Sequence, residues 1–255
     1  MSLLLAVRDL SKSFGGVRAV DDVGFEVARG ELLALIGPNG AGKSTCFNLI
    51  NGQLRPDRGD VLLEGASLVR RTPEQIWRLG VGRTFQVAAT FGSLTAIENV
   101  QVALLSRERA LRRWWRPART QQRDEAAALL ELVGMHAQAD RAAGVLAYGD
   151  VKRIELAVAL ANRPKLLLMD EPTAGMAPAE RGELMALTRR LAKQRHIGVL
   201  FTEHSMDVVF AHADRLVVMA RGRLIAQGDA RSVRDDPAVQ QAYLGTGAMI
   251  EGIDA

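Results

Sequence analysis

The sequence predicts an α/β protein built on a mainly parallel sheet, with an antiparallel β portion at its front and a helical portion inserted into it. Three observations predict this. The apolar run Leu32-Leu33-Ala34-Leu35-Ile36 opens directly into Gly37-Pro38-Asn39-Gly40-Ala41-Gly42-Lys43-Ser44-Thr45, which is the strand, loop and helix junction of a glycine-rich phosphate loop. Beyond residue 162, short apolar runs alternate with helical stretches, as parallel sheets require. Between these two regions, apolar residues recur at three- and four-residue spacing over 95–133, the period of a helix.

The elements follow in order. Strands are expected over residues 4–7, 23–27, 31–36 and 60–63, separated by turn signals at Gly15-Gly16, Arg29-Gly30 and Arg55-Pro56-Asp57-Arg58-Gly59. One helix, 43–51, starts on the loop itself. The helical region carries Ile97, Val100, Val102 and Leu104, then Ala128, Leu129 and Leu132, as its apolar positions at helical spacing. A further helix runs from Gly149 through Ala161 to the run Lys165-Leu166-Leu167-Leu168-Met169, which suits a strand covered on both faces. Helix 178–195, strand 197–201, helix 205–211 and strands 216–219 and 224–226 complete the chain. No internal repeat or low-complexity linker interrupts it.

Composition narrows the class. With 255 residues and 48% hydrophobic content the chain buries a substantial core, which excludes disorder as its default. No apolar run nears the roughly 18 residues of a membrane span, and Leu3-Leu4-Leu5-Ala6-Val7 is too short for a secretion signal, so a soluble intracellular chain is expected. Cys46 is the single cysteine, which rules out an internal disulfide and agrees with a reducing compartment. It reads either as a small buried residue or as a thiol beside the phosphate loop. Net charge is +4, yet Arg107, Arg109, Arg112, Arg113, Arg116, Arg119 and Arg123 face one nearby acid, Glu108. The basic excess is therefore a local surface containing Trp114 and Trp115, not a nucleic-acid groove.

The loop implies a nucleoside triphosphate. Backbone N–H groups of Asn39, Gly40, Ala41, Gly42, Lys43, Ser44 and Thr45 and the positive end of the following helix face the β- and γ-phosphates; Lys43 adds a cation and Ser44 a hydroxyl for Mg²⁺. Asp170 and Glu171 end the buried strand at 165–169, on the edge where open parallel sheets hold ligands. Asp170 suits the metal and Glu171 the attacking water, although adjacent acids at a strand end also cap turns.

These residues, with Leu167-Leu168-Met169-Asp170-Glu171-Pro172-Thr173, Thr84-Phe85-Gln86 and Thr202-Glu203-His204, make the chain resemble the nucleotide-binding subunit of an ATP-binding cassette (ABC) transporter over nearly its whole length. The resemblance implies one RecA-like ABC domain spanning 1–255. Residues 1–86 and 162–255 would form the β-rich core and C-terminal tail, and 87–161 the helical subdomain. It implies ATP and Mg²⁺ as cofactors. Phe14 would stack on adenine, core packing being the alternative for it. Gln86 would sense Mg²⁺ and the attacking water at the hinge, and His204 would hold the γ-phosphate. His136, His196 and His212 receive no role.

The family's signature, usually Leu-Ser-Gly-Gly-Gln, is represented by Leu146-Ala147-Tyr148-Gly149-Asp150. There it caps the nucleotide bound by a partner subunit, so Ala147, Tyr148, Gly149 and Asp150 count as cofactor-binding residues. Ala147 lacks the serine hydroxyl, and Ala177 stands where the family usually has an aspartate that contacts across the dimer. Both departures weaken one half of a composite site, and a heterodimer with a second ABC ATPase is expected over a homodimer.

The signature Tyr148, the stretch Glu203-His204-Ser205-Met206-Asp207-Val208-Val209-Phe210 and the tail Asp236-Pro237-Ala238-Val239-Gln240-Gln241-Ala242-Tyr243-Leu244-Gly245 are similar to the bacterial branched-chain amino acid importer group, which includes urea and amide importers. That resemblance implies two membrane permease subunits, a periplasmic solute-binding protein, and a peripheral position on the cytoplasmic face of the inner membrane. Nucleic acid is not an expected partner. The Arg and Trp stretch at 107–119 would press on a permease or form a solvated helix face. The alternatives are an exporter ATPase, such as that of lipopolysaccharide transport, and a non-transport ABC ATPase acting on nucleic acid or ribosomes.

Overall fold

The computed structural model describes residues 2–84, 90–107 and 122–244. Two sheets form the β portion. In the first, β1 (Leu3–Phe14) and β2 (Val17–Ala28) make a long antiparallel hairpin; β4 (Arg58–Leu63) and β5 (Ala66–Ser67) extend it in the order β2-β1-β4-β5. The second sheet has six strands in the order β10-β9-β3-β8-β7-β6, from β3 (Leu32–Ile36), β6 (Val81–Thr84), β7 (Leu166–Asp170), β8 (Gly198–Thr202), β9 (Arg215–Ala220) and β10 (Arg223–Gly228). Every neighbour pair is parallel except β9 with β10.

The apolar runs have a simple cause. In β3, Leu33 and Leu35 enter a core with the hairpin sheet and α1 (Lys43–Ile50), whereas Leu32, Ala34 and Ile36 enter a second core with the helices. Strand β7 divides in the same way: Leu166 and Leu168 face one core, Leu167 and Met169 the other. Side chains alternate along a strand, so a strand covered on both sides must be apolar at every position.

The helical layer comprises α3 (Ala96–Arg107), α4 (Arg123–Leu132), α5 (Tyr148–Leu160), α6 (Pro178–Arg195) and α7 (Met206–His212). Not every apolar residue at helical spacing in it is buried. Val102 is 42% exposed and Ala128 is exposed, while Ala126, Leu129, Leu130 and Val133 form the buried face of α4 and its end. The sequence reading did not anticipate β5, β6, α2 (Pro73–Arg78), α8 (Ala230–Arg234) or α9 (Pro237–Leu244). Helix α2 begins on a reciprocal cap, with Gln75 N donating to Thr72 Oγ1 at 3.3 Å and Thr72 N to Gln75 Oε1 at 3.0 Å. No helix among the described residues is long and apolar enough to cross a membrane.

Because β3, β7 and β8 run parallel, their carboxyl ends lie on one edge of the sheet. The phosphate loop, Asp170 with Glu171, and Glu203 with His204 therefore meet there.

Candidate functional site

The loop between β3 and α1 is held from behind. At Gly37 (φ +151) a Cβ would stand 2.1 Å from the Met219 carbonyl oxygen, and at Gly42 (φ +101) one would stand 2.2 Å from that of Ala19. Only glycine fits at either position, and the tight wrap leaves Asn39 and Gly40 exposed at the crown. Gly222 N donates to Ala41 O at 3.1 Å, tying the β9–β10 turn to the loop. The Lys43 side chain, expected as a mobile cation, is instead nearly buried: its Nζ donates to the carbonyls of Gly37 at 2.6 Å and Pro38 at 3.1 Å. Burial pulls its pKa below the ordinary lysine value, and the charges of Glu171 and Asp170 oppose that shift.

At the end of β7, Asp170 lies opposite Thr202 in register. The Thr202 hydroxyl donates to Asp170 Oδ1 at 2.7 Å and accepts from Glu171 N at 3.1 Å, and Glu171 N also donates to the Thr202 carbonyl at 3.1 Å. Glu171 has φ +48, which turns its carboxylate away from the strand line. Its Oε1 lies 2.7 Å from His204 Nε2. Glu203, 4% exposed, accepts from Thr173 N at 2.8 Å, from Thr173 Oγ1 at 2.6 Å and from His204 N at 3.2 Å. That buried carboxylate clamps the segment after Glu171 to the segment carrying His204.

Arg83, on β6, completes the polar floor. Its Nη1 donates to Asn48 Oδ1 at 2.9 Å and Gln53 Oε1 at 3.1 Å, and its Nη2 lies 3.5 Å from Asp170 Oδ2. Burial lowers its pKa and Asp170 raises it. Sequence reasoning gave no role to Arg83, Thr173, Thr202 or Glu203. The available signals were an arginine three residues before Gln86 and polar residues flanking the acids and His204.

Ser44, exposed in the first turn of α1, and Asp170 are hard oxygen donors of the kind Mg²⁺ accepts alongside phosphate oxygens and water. Among the described residues no group of three His, Cys, Asp or Glu side chains is placed to hold a metal. The donor set thus fits an ion that arrives with its nucleotide. Cys46 is fully buried and its thiol is pushed up to about 12, which makes it a packing residue and not a reactive one.

The remaining expected site residues lie apart from this cluster. Phe14 is 47% exposed at the end of β1, so core packing does not account for it; Lys12 Nζ sits 5.7 Å from its ring centre. Ala147 is the N-cap of α5 with no side-chain acceptor, Tyr148 is 44% exposed, and Asp150 lies in the first turn. Gly149 is buried with Glu180 close against it. Ala177 caps α6, where the Glu180 carboxylate accepts from its N–H at 3.3 Å. Gln86 lies outside the described residues, as do Glu108, Arg109, Arg112, Arg113, Trp114, Trp115, Arg116 and Arg119.

A parallel-sheet phosphate loop, paired acids and a histidine on one sheet edge, beside a helical layer that begins α5 on a glycine-containing turn, define an ATPase of the cassette class. The chain belongs to the ABC transporter family, whose model matches residues 20–174; a model described as branched-chain amino acid ATP-binding cassette transporter matches residues 223–248. It is 39% identical to the high-affinity branched-chain amino acid transport ATP-binding protein LivG of Salmonella typhimurium, over 95% of this chain and 98% of that protein. Identity to BraF of Pseudomonas aeruginosa, described in the same words, is 38% with the same coverage of each. Among solved structures, an ATP-binding cassette of an ABC transporter in its ADP conformation superposes with a TM-score of 0.87 at 32% identity, covering 96% of this chain and 100% of that one.

Proposed function

We propose that this chain is the ATP-binding and ATP-hydrolysing subunit of a bacterial importer for branched-chain amino acids or a related small polar solute. It would sit on the cytoplasmic face of the membrane, against two permease subunits served by a periplasmic binding protein. The observation that carries the catalytic part is the convergence of Lys43, Asp170, Glu171 and His204 on one sheet edge, with the Thr202 hydroxyl bonded to Asp170 Oδ1 and Glu171 Oε1 beside His204 Nε2. The importer class rests on relatives described as branched-chain amino acid transport proteins.

In this reading Lys43 and the N–H groups of residues 39–45 bind the β- and γ-phosphates, and Phe14 stacks on adenine. Ser44 and Asp170 hold Mg²⁺, with Gln86 joining them at the hinge; the ion neutralises phosphate charge. Glu171 takes the proton of the attacking water and His204 donates to the γ-phosphate. A companion ATPase closes over this nucleotide with its signature, while Ala147, Tyr148, Gly149 and Asp150 of this chain cover the companion's. Because Ala147 and Ala177 bring no side-chain oxygen, the two composite sites are unequal, which favours a heterodimer. Transported solute does not contact this chain.

The test is reconstitution in proteoliposomes with the companion ATPase, the permeases and the binding protein. Leucine uptake should require ATP and should vanish with Lys43→Ala, which also abolishes nucleotide binding. Uptake that persists with Lys43→Ala refutes the assignment.

A further inference from the structure

Phe14 stands at the end of the β1–β2 hairpin, opposite Val17, with the exposed Gly15 and Gly16 between them. On the other side of β1 the pairing with β4 runs from Leu5 to Ser11, with an irregularity between Arg8 and Ser11. Beyond Ser11 a side chain takes over from the strand. Asp57, in the turn that leads into β4, donates its N–H to the Ser11 carbonyl at 2.8 Å. Its Oδ2 accepts from Ser13 N at 2.7 Å and its Oδ1 from Lys12 Nζ at 2.8 Å, and the same Lys12 Nζ lies 5.7 Å from the Phe14 ring centre. The turn is seated in the irregular stretch of β1, because a Cβ at Gly59 (φ +85) would stand 2.4 Å from the carbonyl oxygens of Arg8 and Asp9. Lys12 and Asp57 are open enough to solvent that their attraction alone adds little. The bond from Ser13 N to a carboxylate is stronger than a neutral one, and it acts on the residue next to Phe14.

We propose that Asp57 is a positioning residue for the adenine base. By holding Ser13 N and Lys12 Nζ it fixes the outer end of β1, and with it the Phe14 ring, so that the base meets a surface already in place. Ordering that is complete before binding does not subtract from affinity. The advantage of an adenine nucleotide over a bare phosphate chain then depends on a carboxylate outside the phosphate loop. This rests on Phe14 being the surface on which adenine stacks.

Titration of the purified full chain with the fluorescent analogue mant-ATP, and displacement of the bound analogue by inorganic tripolyphosphate, both with Mg²⁺, tests it. Phe14→Ala should raise the Kd for mant-ATP about fivefold or more, the loss of one stack between a base and an aromatic ring, and leave the Kd for tripolyphosphate unchanged. Asp57→Ala should raise the Kd for mant-ATP about three- to tenfold, a part of that stack, again with tripolyphosphate unchanged, which also shows the loop intact. Because Asp57 acts through Phe14, the double variant should bind mant-ATP as Phe14→Ala alone does. A wild-type Kd for mant-ATP in Asp57→Ala overturns the proposal, and so does an equal weakening for tripolyphosphate or an Asp57→Ala loss that persists undiminished in the Phe14→Ala background. A Phe14→Ala chain that binds mant-ATP as tightly as wild type overturns the stacking reading itself, a failure distinct from the other three.

Discussion

His204 Nε2 and Glu171 Oε1 lie 2.7 Å apart, joining the ends of β8 and β7. The two sides of this contact differ in freedom. Glu171 is fixed by its left-handed backbone and by the Thr202 bond to its N–H, whereas the His204 side chain is 53% exposed. The imidazole therefore has open space beside it, whereas the backbone that carries the carboxylate is held.

Glu171→Gln preserves the shape of that pair and removes the carboxylate proposed as the base. ATP turnover should fall by about 10²-fold or more, with mant-ATP affinity unchanged. Single-turnover assays with radiolabelled ATP measure this, and wild-type turnover would remove Glu171 from its assigned role.

Thr202→Val is nearly isosteric and removes the hydroxyl that donates to Asp170 Oδ1, while the Glu171 N–H keeps the residue 202 carbonyl at 3.1 Å. A stability loss of about 1–3 kcal/mol in urea unfolding is expected for the lost bond to a carboxylate. Turnover should drop further than nucleotide affinity, because Asp170 loses its aim while the loop does not. Equal loss of both would point to general disruption.

Mixed dimers report on Ala147 and Ala177. With Glu171→Gln placed in this chain alone or in its companion alone, the two arrangements should lose ATPase activity to different extents, since each composite site pairs one subunit's base with the other's signature. Equal losses would refute unequal sites.

Glu125 joins the helical layer to the end of α5. Both its oxygens accept from Arg107 at 3.0 Å, Oε1 also accepts from Arg163 at 3.0 Å, and Arg107 donates to Ala161 O at 2.8 Å. The Arg107 hydrogen bonds, aided by Arg163 and opposed by burial, hold the Glu125 carboxyl below the usual carboxylate range. Stability from a carboxyl lowered in this way is complete above its unfolded pKa and is lost as pH falls through the folded value. Glu125→Gln should cost about 1–2 kcal/mol at pH 7. The gap from wild type should close as pH falls through the lowered pKa of Glu125; a gap that persists after the carboxyl is protonated would mean the loss is packing and not charge.

Much of the fold was legible because local constraints were severe. Leu32–Ile36 and Leu166–Asp170 are strands with both faces covered, so they read as unbroken apolar runs. Elements without that constraint escaped notice. Strand β6 is four residues long and contains Gly82 and Arg83; α2 and α8 are six and five residues long. Helix α2 nonetheless carried a legible start in Thr72-Pro73-Glu74-Gln75. Val102 and Ala128 lie in helices as their spacing indicates but are exposed, because apolar spacing marks a helical face without showing where that face ends.

Sequence by itself determined the phosphate loop, since a glycine-rich run between an apolar strand and a helix starting at Lys43 is a property of consecutive residues. It also placed acids at 170 and 171 and a histidine at 204 just beyond apolar runs. Tertiary structure alone decided that Gly37 and Gly42 seat against the carbonyls of Met219 and Ala19, that Arg83 and Thr202 hold the two sides of Asp170, and that Glu203 clamps Thr173. Those partners are 23 to 182 residues apart in the chain, and parallel register and helix packing, which no local pattern encodes, are what bring them into contact.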